Sequence, residues 1–370
     1  MKTIAAIICV LMIAGASVAA TGEVSVIITP DVSVVGGGDP HQSAISQVTD
    51  SSGLSSALSN GAAVPETLPT HAGGAGSYAA TMVRWLGGQH PTAFIFDLGT
   101  SHARVDDLIF YNYQEGATTE RGIASVTASY SSDGVGYSGA ETLNFAATSG
   151  NDPFAGEVIS INKTNIRYVK FADLVNHAGS ASVILGFAEI RFTTTLTVLA
   201  EEGFENGSSG PNIFGVTGGN IMDSTNYTDD AVSAQIGDWF RTMYSDSTLT
   251  ATLDRKFSEG SRYVLEFTNF RRDVGVVGGR PITAHIGYDD GSFNSLTNVQ
   301  FAAVSDVTAV ETRTVIYDSG DSGAEIGHPV AIQFASDSGD GSAAYQAGID
   351  NIKVSGPPPP LPKGFVMLIR

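Results

Sequence analysis

The most regular pattern of the sequence lies in the stretch FIFDLGTSHARVDDLIFYNYQ, residues 94–114. It contains two apolar runs, FIFDL and LIFYNY, that are joined by a polar turn. In the first run Phe94, Phe96 and Leu98 fall on one face, because successive side chains of a strand point to opposite faces. This period of two predicts two half-buried β-strands connected by a turn.

Three further segments with strand-like composition follow in the first half of the chain. They are SVTASYSSDG (residues 125–134), NIRYVKFADL (165–174) and VILGFAEIRF (183–192). Short runs rich in β-branched and aromatic residues, separated by turn residues such as Gly, Asp and Ser, are typical of strands. The segments therefore predict an all-β unit.

The order of these motifs resembles a known family. FDLG, a strand, a YSSDG hairpin, RYVKF and a closing GFAEIRF resemble the discoidin-like domain, also called coagulation factor type C, over residues 39–194. The resemblance implies an eight-stranded jelly roll of the galactose-binding-like class. It also implies a carbohydrate or lipid head group as ligand, bound by loops at one end of the sandwich.

The composition of the whole chain favours many strands and turns. Glycine accounts for 43 of 370 residues, and charged residues make up only 15%; short apolar runs in such a background favour strands over helices. The net charge of −19 predicts a surface that repels nucleic acid and anionic lipid head groups. Neutral sugars, cationic surfaces and calcium remain compatible with this charge.

A second set of strand-like runs follows a Thr-rich join at residues 193–197. GFENGS at residues 203–208 and IDNIKV at 349–354 resemble the first and last strands of another galactose-binding-like module. The predicted fold class is therefore all-β, with two tandem β-sandwich or jelly-roll domains at residues 21–194 and 195–356, and few contacts are expected across the join. The candidate strands of the second domain are residues 238–244, 249–254, 262–269, 282–288, 312–318, 329–335 and 347–354.

The two ends of the chain are expected to lie outside these domains. Residues 1–20 have the basic start, short apolar run and small-residue end of a signal peptide. The only cysteine, Cys9, falls within that segment, so the mature chain is expected to lack disulfides, which fits an exported, secreted or cell-surface bacterial protein. Residues 357–370 form a Pro-rich tail, interpreted as a frayed end or a degenerate sorting signal, with an apolar run too short to span a bilayer.

Two short sequence patterns resemble enzyme signatures, but the residues around them do not form the structural setting that each signature requires. GVGYSG at residues 134–139 matches GxGxxG, but no strand–turn–helix unit surrounds it. GDSG at residues 320–323 lacks the histidine and disulfide setting of trypsin-like proteases. No catalytic residue is predicted, and the chain is expected not to be an enzyme.

Calcium is the predicted structural ion, because it accepts carboxylates mixed with backbone carbonyls. In discoidin-like and related jelly rolls a calcium often ties an N-terminal loop to the last strand. The resemblance implies Asp50 and Glu189 as ligands in the first domain, and Glu205 and Asp350 in the second. The alternative is that these acids lie on solvated strand faces.

The predicted ligand-binding residues lie at strand ends and loops of the first domain. Sugar binding requires a flat ring together with polar neighbours. Exposed aromatic residues clustered at this end would favour sugar binding, and their absence would favour a matrix role. Trp85 and Trp239 are interpreted as core residues. The candidate residues are Asn112, Tyr113, Arg121, His71 and His90.

The sequence thus predicts an exported, non-catalytic carbohydrate-binding or surface-adhesion protein. The expected partner is a neutral polysaccharide or cell-surface glycan, with no nucleic acid and no integral membrane span in the mature chain. One alternative is a structural cell-surface or matrix component with no discrete ligand. Another is an accessory subunit of a polysaccharide hydrolase.

Overall fold

A computed structural model shows that the chain folds into two β-sandwiches in tandem, which confirms the predicted all-β class. Within its described part, the regular helical element is a short 3-10 turn, Ile45–Val48, and no helix is long and apolar enough to cross a membrane. The described residues are 22–73, 81–102, 104–150, 153–204, 212–214, 221–223, 239–243, 248–271, 279–320, 322–336 and 346–358.

The first sandwich packs a five-stranded sheet, in the order β2-β5-β11-β7-β8, against a sheet that contains β10, β6 and β12. Phe94, Phe96 and Leu98 of β5 are all buried in the core between the sheets, as their period of two predicts. The strands are β1 (Glu23–Ile28), β2 (Asp31–Val35), β3 (Thr70–His71), β4 (Val83–Trp85), β5 (Ala93–His102), β6 (Val105–Asn112), β7 (Ile123–Ser131), β8 (Ser138–Asn144), β9 (Phe154–Ala155), β10 (Glu157–Lys163), β11 (Ile166–Asn176) and β12 (Leu185–Glu202).

The second sandwich packs a four-stranded sheet, in the order β15-β20-β17-β18, against strands that pair around β21. Leu265 and Phe267 of β16 are buried in its core. Val264, on the other side of β16, is buried as well, so this strand buries both faces. The strands are β13 (Ile221–Asp223), β14 (Trp239–Met243), β15 (Thr248–Lys256), β16 (Arg262–Phe270), β17 (Ile282–Asp289), β18 (Phe293–Phe301), β19 (Val310–Asp318), β20 (Pro329–Ser336) and β21 (Ala347–Gly356).

Strand β12 runs through the predicted join without a break. It pairs with β6 and β1 in the first sandwich and with β21 in the second, so one ten-stranded sheet extends through both. Leu196 packs with Val26 and Val264, and Arg262 Nη1 donates a hydrogen bond to Asn60 Oδ1 at 3.1 Å. The expectation of few contacts across the join is therefore wrong. The domain limits themselves stay a prediction.

Candidate functional site

The loop end of the first sandwich brings together two of the predicted ligand-binding residues. Arg121 Nη1 and the Tyr113 hydroxyl donate to the same carboxylate oxygen, Oε2 of Glu115, at 2.5 and 2.8 Å. Arg84 Nη1 donates to that oxygen at 3.2 Å. The polar groups at this point therefore bond to one another.

Asn112 lies next to this cluster but is buried, with 4% of its surface exposed. Its Nδ2 donates to the carbonyl oxygens of Ile123 and Ala146 at 2.7 and 2.9 Å. Its Oδ1 accepts hydrogen bonds from the N–H groups of Tyr113 and Ile123. These bonds fix the end of β6 to the neighbouring segments, which is a structural role.

Tyr113 is fully buried, as is Trp85. Burial, followed by the hydrogen bond to Glu115, raises the pKa of Tyr113 to about 12. Within the described part of this loop end, neither ring is available to stack on a ligand. These two rings therefore do not supply an exposed aromatic surface, and a sugar site at these loops stays a prediction.

The two predicted histidines lie apart from this cluster. His71 is fully buried, and its Nδ1 accepts a hydrogen bond from the Gly73 N–H at 3.0 Å. The Nε2 of His90 lies 2.7 Å from the Val183 carbonyl oxygen. Both rings therefore connect loop backbones, and the structure does not gather the five predicted residues into one site.

The predicted calcium ligands include one described pair, Asp50 and Glu189. Burial, with help from the Asp50 charge, raises the pKa of the Glu189 carboxyl, whereas the adjacent Arg191 guanidinium opposes that rise. Glu205 lies outside the described residues, and Asp350 is buried in β21. Among the residues that the structure describes, no three His, Cys, Asp or Glu side chains are arranged to hold a metal ion. Calcium at the second pair stays a prediction.

The outer face of the sheet β15-β20-β17-β18 offers a different surface, which we call the polar face. The residues that alternate with the polar face along the same strands lie on the opposite side of the sheet and fill the core. Leu249, Ile286 and Ile332 are examples. Among the members named below only Asp289 is charged, and the exposed Asp254 and Lys256 continue the same alternation at the end of β15. The members are Thr248, Thr250, Thr252, Thr283, His285, Gly287, Asp289, Phe293, Ser295, Asn298, Gln300, Ala331, Gln333 and Ala335.

One row of hydrogen-bonding side chains crosses all four strands of the polar face. Thr250 pairs in register with Gln333, and Gln333 pairs with His285. Asn298 of β18 lies opposite His285 and completes the row. Because neighbouring strands lie about 4.8 Å apart, the row is about 14 Å long. Gln333 Nε2 donates to Thr250 Oγ1 at 2.9 Å, which holds the amide in place.

An aromatic ring lies beside this row. The ring of Phe293 covers Gly287, where a Cβ atom would come within 2.8 Å of the ring. The ring centroids of His285 and Phe293 are 6.0 Å apart. Glycine at position 287 leaves room for this ring and for the Asn294 carbonyl oxygen, which a Cβ atom would meet first.

The polar face presents neutral groups over most of its area. Burial lowers the pKa of His285, which favours the neutral imidazole, and its Nδ1 lies 2.9 Å from Ser295 Oγ. Among the described residues no hydrogen-bond partner faces His285 Nε2. Asp289 lies at the margin, where hydrogen bonds from the Thr252 hydroxyl and the Gly291 N–H keep its pKa below its usual range.

Sequence reasoning missed the polar face. The signal available was the alternation of Thr283 and His285 with apolar residues in β17. Strand β18 was not among the predicted strands, because residues 293–301 alternate less clearly. The row itself depends on register between strands that are far apart in the sequence.

No protein-family model matches the sequence, and no curated protein matches it. Among solved structures, the tandem carbohydrate-binding modules CBM22-1 and CBM22-2 of Paenibacillus barcinonensis Xyn10C show 10% identity over 91% of this chain and 99% of theirs, with a TM-score of 0.27. CBM32-1, from a family 31 glycoside hydrolase of Clostridium perfringens, shows 19% identity over 33% of this chain and 82% of its own, with a TM-score of 0.20.

A Stig cyclase, Fisc from Fischerella sp. TAU, is similar at 15% identity and a TM-score of 0.29. The match covers 33% of this chain and 64% of the cyclase. The carbohydrate-binding modules and this cyclase have different functions, and all three TM-scores are low. These likenesses therefore carry no argument about function.

Proposed function

We propose that this chain is an exported, non-catalytic carbohydrate-binding protein, and that the polar face of the second sandwich binds a neutral polysaccharide. The observation that carries the proposal is the row of uncharged hydrogen-bonding side chains across four strands, from Thr250 to Asn298, beside the Phe293 ring. The proposal differs from the site predicted from sequence, because that prediction placed the ligand at the loops of the first sandwich.

The chemistry of the polar face matches that of a neutral sugar chain. Hydroxyl groups of a sugar exchange hydrogen bonds with amide, imidazole and hydroxyl side chains, and the apolar C–H face of a sugar stacks on an aromatic ring. The chain has a net charge of −19, which disfavours sulfated and uronic glycans. An open face about 14 Å across suits an extended polymer better than an enclosed small molecule.

Binding on such a face is expected to be weak. Each neutral hydrogen bond contributes only about 0.5–1.5 kcal/mol in net terms, since water competes for the same groups. With one ring and a few hydrogen bonds, the dissociation constant is expected to be roughly micromolar to millimolar, or about 4–8 kcal/mol. The signal-peptide-like residues 1–20 support export, and an exported protein would meet polysaccharides.

We expect the double substitution His285→Ala, Gln333→Ala to weaken retention by neutral polysaccharides about 10-fold, because two hydrogen-bonding groups are lost. Affinity electrophoresis in gels that contain a panel of neutral polysaccharides measures this effect. Both side chains point away from the core, so the melting temperature should change little.

Arg121→Ala, at the loop end of the first sandwich, is the matched control and should leave retention unchanged. If Arg121→Ala abolishes retention and the double variant does not, the loop end is the binding site and the polar face is not. If the wild-type chain is not retained by any neutral polysaccharide, the matrix role replaces carbohydrate binding as the first candidate.

A further inference from the structure

The side chain of Arg191 is buried in the first sandwich, with 1% of its surface exposed. Its guanidinium donates hydrogen bonds to oxygens of the loop that precedes β3 and of its own strand. Its bonds to that loop include those to Thr49 O at 2.8 Å, Ser51 Oγ at 2.9 Å and Leu58 O at 3.0 Å. It also bonds to the carboxylate of Glu189 and to the carbonyl oxygen of Ile190.

These partners are the kinds of oxygen that bind a calcium ion: backbone carbonyls, a hydroxyl and a carboxylate from separate segments of chain. Here a cation already lies among them. A guanidinium has five N–H donors in a fixed fork, and the loop carbonyls and Glu189 accept from it. A second cation at the same oxygens would be repelled by the first.

The donor set at Asp50 and Glu189 therefore does not fit a calcium ion while Arg191 is present. Asp50 is also engaged with its own loop, because its Oδ1 accepts a hydrogen bond from the Ser52 N–H at 2.7 Å. Glu189 has its Oε1 against the guanidinium. A calcium ion at this pair stays an untested prediction, and these contacts argue against it.

We infer that Arg191 is a built-in cation that ties the loop of residues 48–58 to strand β12, in the role that a divalent cation would otherwise have. The first sandwich is accordingly independent of calcium. The oxygens of Glu189, Thr49, Ser51 and Leu58 form a latent cation site that opens only when the guanidinium is removed. This inference does not depend on the proposed sugar binding.

Hydrogen–deuterium exchange of the wild-type chain tests the first half of the inference without any substitution. Amides in residues 46–58 should exchange at the same rate in EDTA and in calcium chloride. Slower exchange of these amides in calcium would overturn the inference, because it would show that calcium binds this loop with Arg191 in place.

Arg191→Ala tests the second half. The variant should be less stable than the wild type in EDTA and should regain part of its melting temperature in calcium. For a site with a dissociation constant of about 1 mM, roughly 10 mM calcium raises the melting temperature by roughly 3–6 °C more than in the wild type.

The control is Arg191→Ala combined with Glu189→Gln, which removes the carboxylate and should abolish the additional calcium response. Any calcium response at Asp350 in the second sandwich should be the same in the variant and in the wild type. It is therefore removed when the two shifts in melting temperature are subtracted. A folded Arg191→Ala variant with no additional response would overturn the latent site. If Arg191→Ala does not fold in either buffer, the exchange measurement on the wild type still decides the inference.

Discussion

Replacing Arg191 with methionine is expected to lower the free energy of unfolding of the first sandwich by about 3–5 kcal/mol, because it leaves the buried carboxyl group of Glu189 and the buried backbone oxygens around it without their hydrogen-bond donor. The side chains of both residues are almost completely buried, at 1% and 0% exposed. Methionine keeps much of the volume but supplies no donor to the carbonyls of Thr49 and Leu58. For a unit of this size the melting temperature should fall by roughly 6–20 °C.

Arg167→Met is the matched control on the same sandwich. Arg167 binds both carboxylate oxygens of Asp97, at 2.8 and 2.9 Å, but its side chain is 38% exposed. An exposed ion pair contributes about 0–1 kcal/mol, so this variant should lose little stability. Comparison of the two variants separates the effect of burying an ion pair on stability from the effect of its hydrogen-bond geometry.

Urea unfolding followed by tryptophan fluorescence measures both effects. The chain has two tryptophans, and Trp85 is buried in the first sandwich, where its Nε1 donates to the Gly38 carbonyl oxygen at 3.0 Å. A Trp239→Phe background makes Trp85 the reporter of the first sandwich. Equal losses of stability in Arg191→Met and Arg167→Met would show that the buried pair has no special role.

The sequence predicts the sandwich strands well wherever a strand buries one face. The period of two in FIFDL correctly predicts the buried face of β5. The end of β12 is not predicted, because residues 193–197 are threonine-rich and look like a linker. Threonine is β-branched and fits a strand equally well. The partner that completes the sheet there, β1, lies about 170 residues earlier in the chain.

The candidate sites are less predictable because they depend on contacts between distant segments. Sequence position correctly places Asn112 and Tyr113 at a strand end, but it does not show that both side chains are buried. Arg191 lies two residues after Glu189 and therefore on the same strand face, so its proximity to the predicted metal ligand was a signal in the sequence. The row from Thr250 to Asn298 becomes visible only with the register of four strands.

The second large effect that we expect is a loss of stability in acid that originates at His102. This histidine is 2% exposed, and its Nε2 lies 3.3 Å from the Leu98 carbonyl oxygen. Burial, followed by the positive charge of Arg262, lowers the pKa of His102 to about 4, against the opposing effect of Asp318. Arg262 and Asp318 belong to the second sandwich, so His102 lies at the contact between the two units.

The sign of the pH dependence follows from these pKa values. The unfolded chain binds a proton at His102 with a pKa of about 6.5, whereas the folded chain does so only near pH 4. Between these values the unfolded state binds more protons, so stability is fully present above about pH 6.5 and is lost as the pH falls towards 4. A difference of about 2.5 pKa units corresponds to about 3 kcal/mol.

His102→Gln is expected to remove this part of the acid sensitivity, because glutamine stays neutral at every pH. Urea unfolding at pH 7 and pH 4.5 should show a smaller difference in the variant than in the wild type. His41→Gln, in a separate loop of the first sandwich, serves as the control and should keep the wild-type difference.

Since His102 also lines a cavity of about 260 Å³ between the sandwiches together with Arg262 and Thr195, protonation there should loosen the contact between the two units first. If the wild type and His102→Gln lose the same stability between pH 7 and pH 4.5, His102 does not couple this contact to pH.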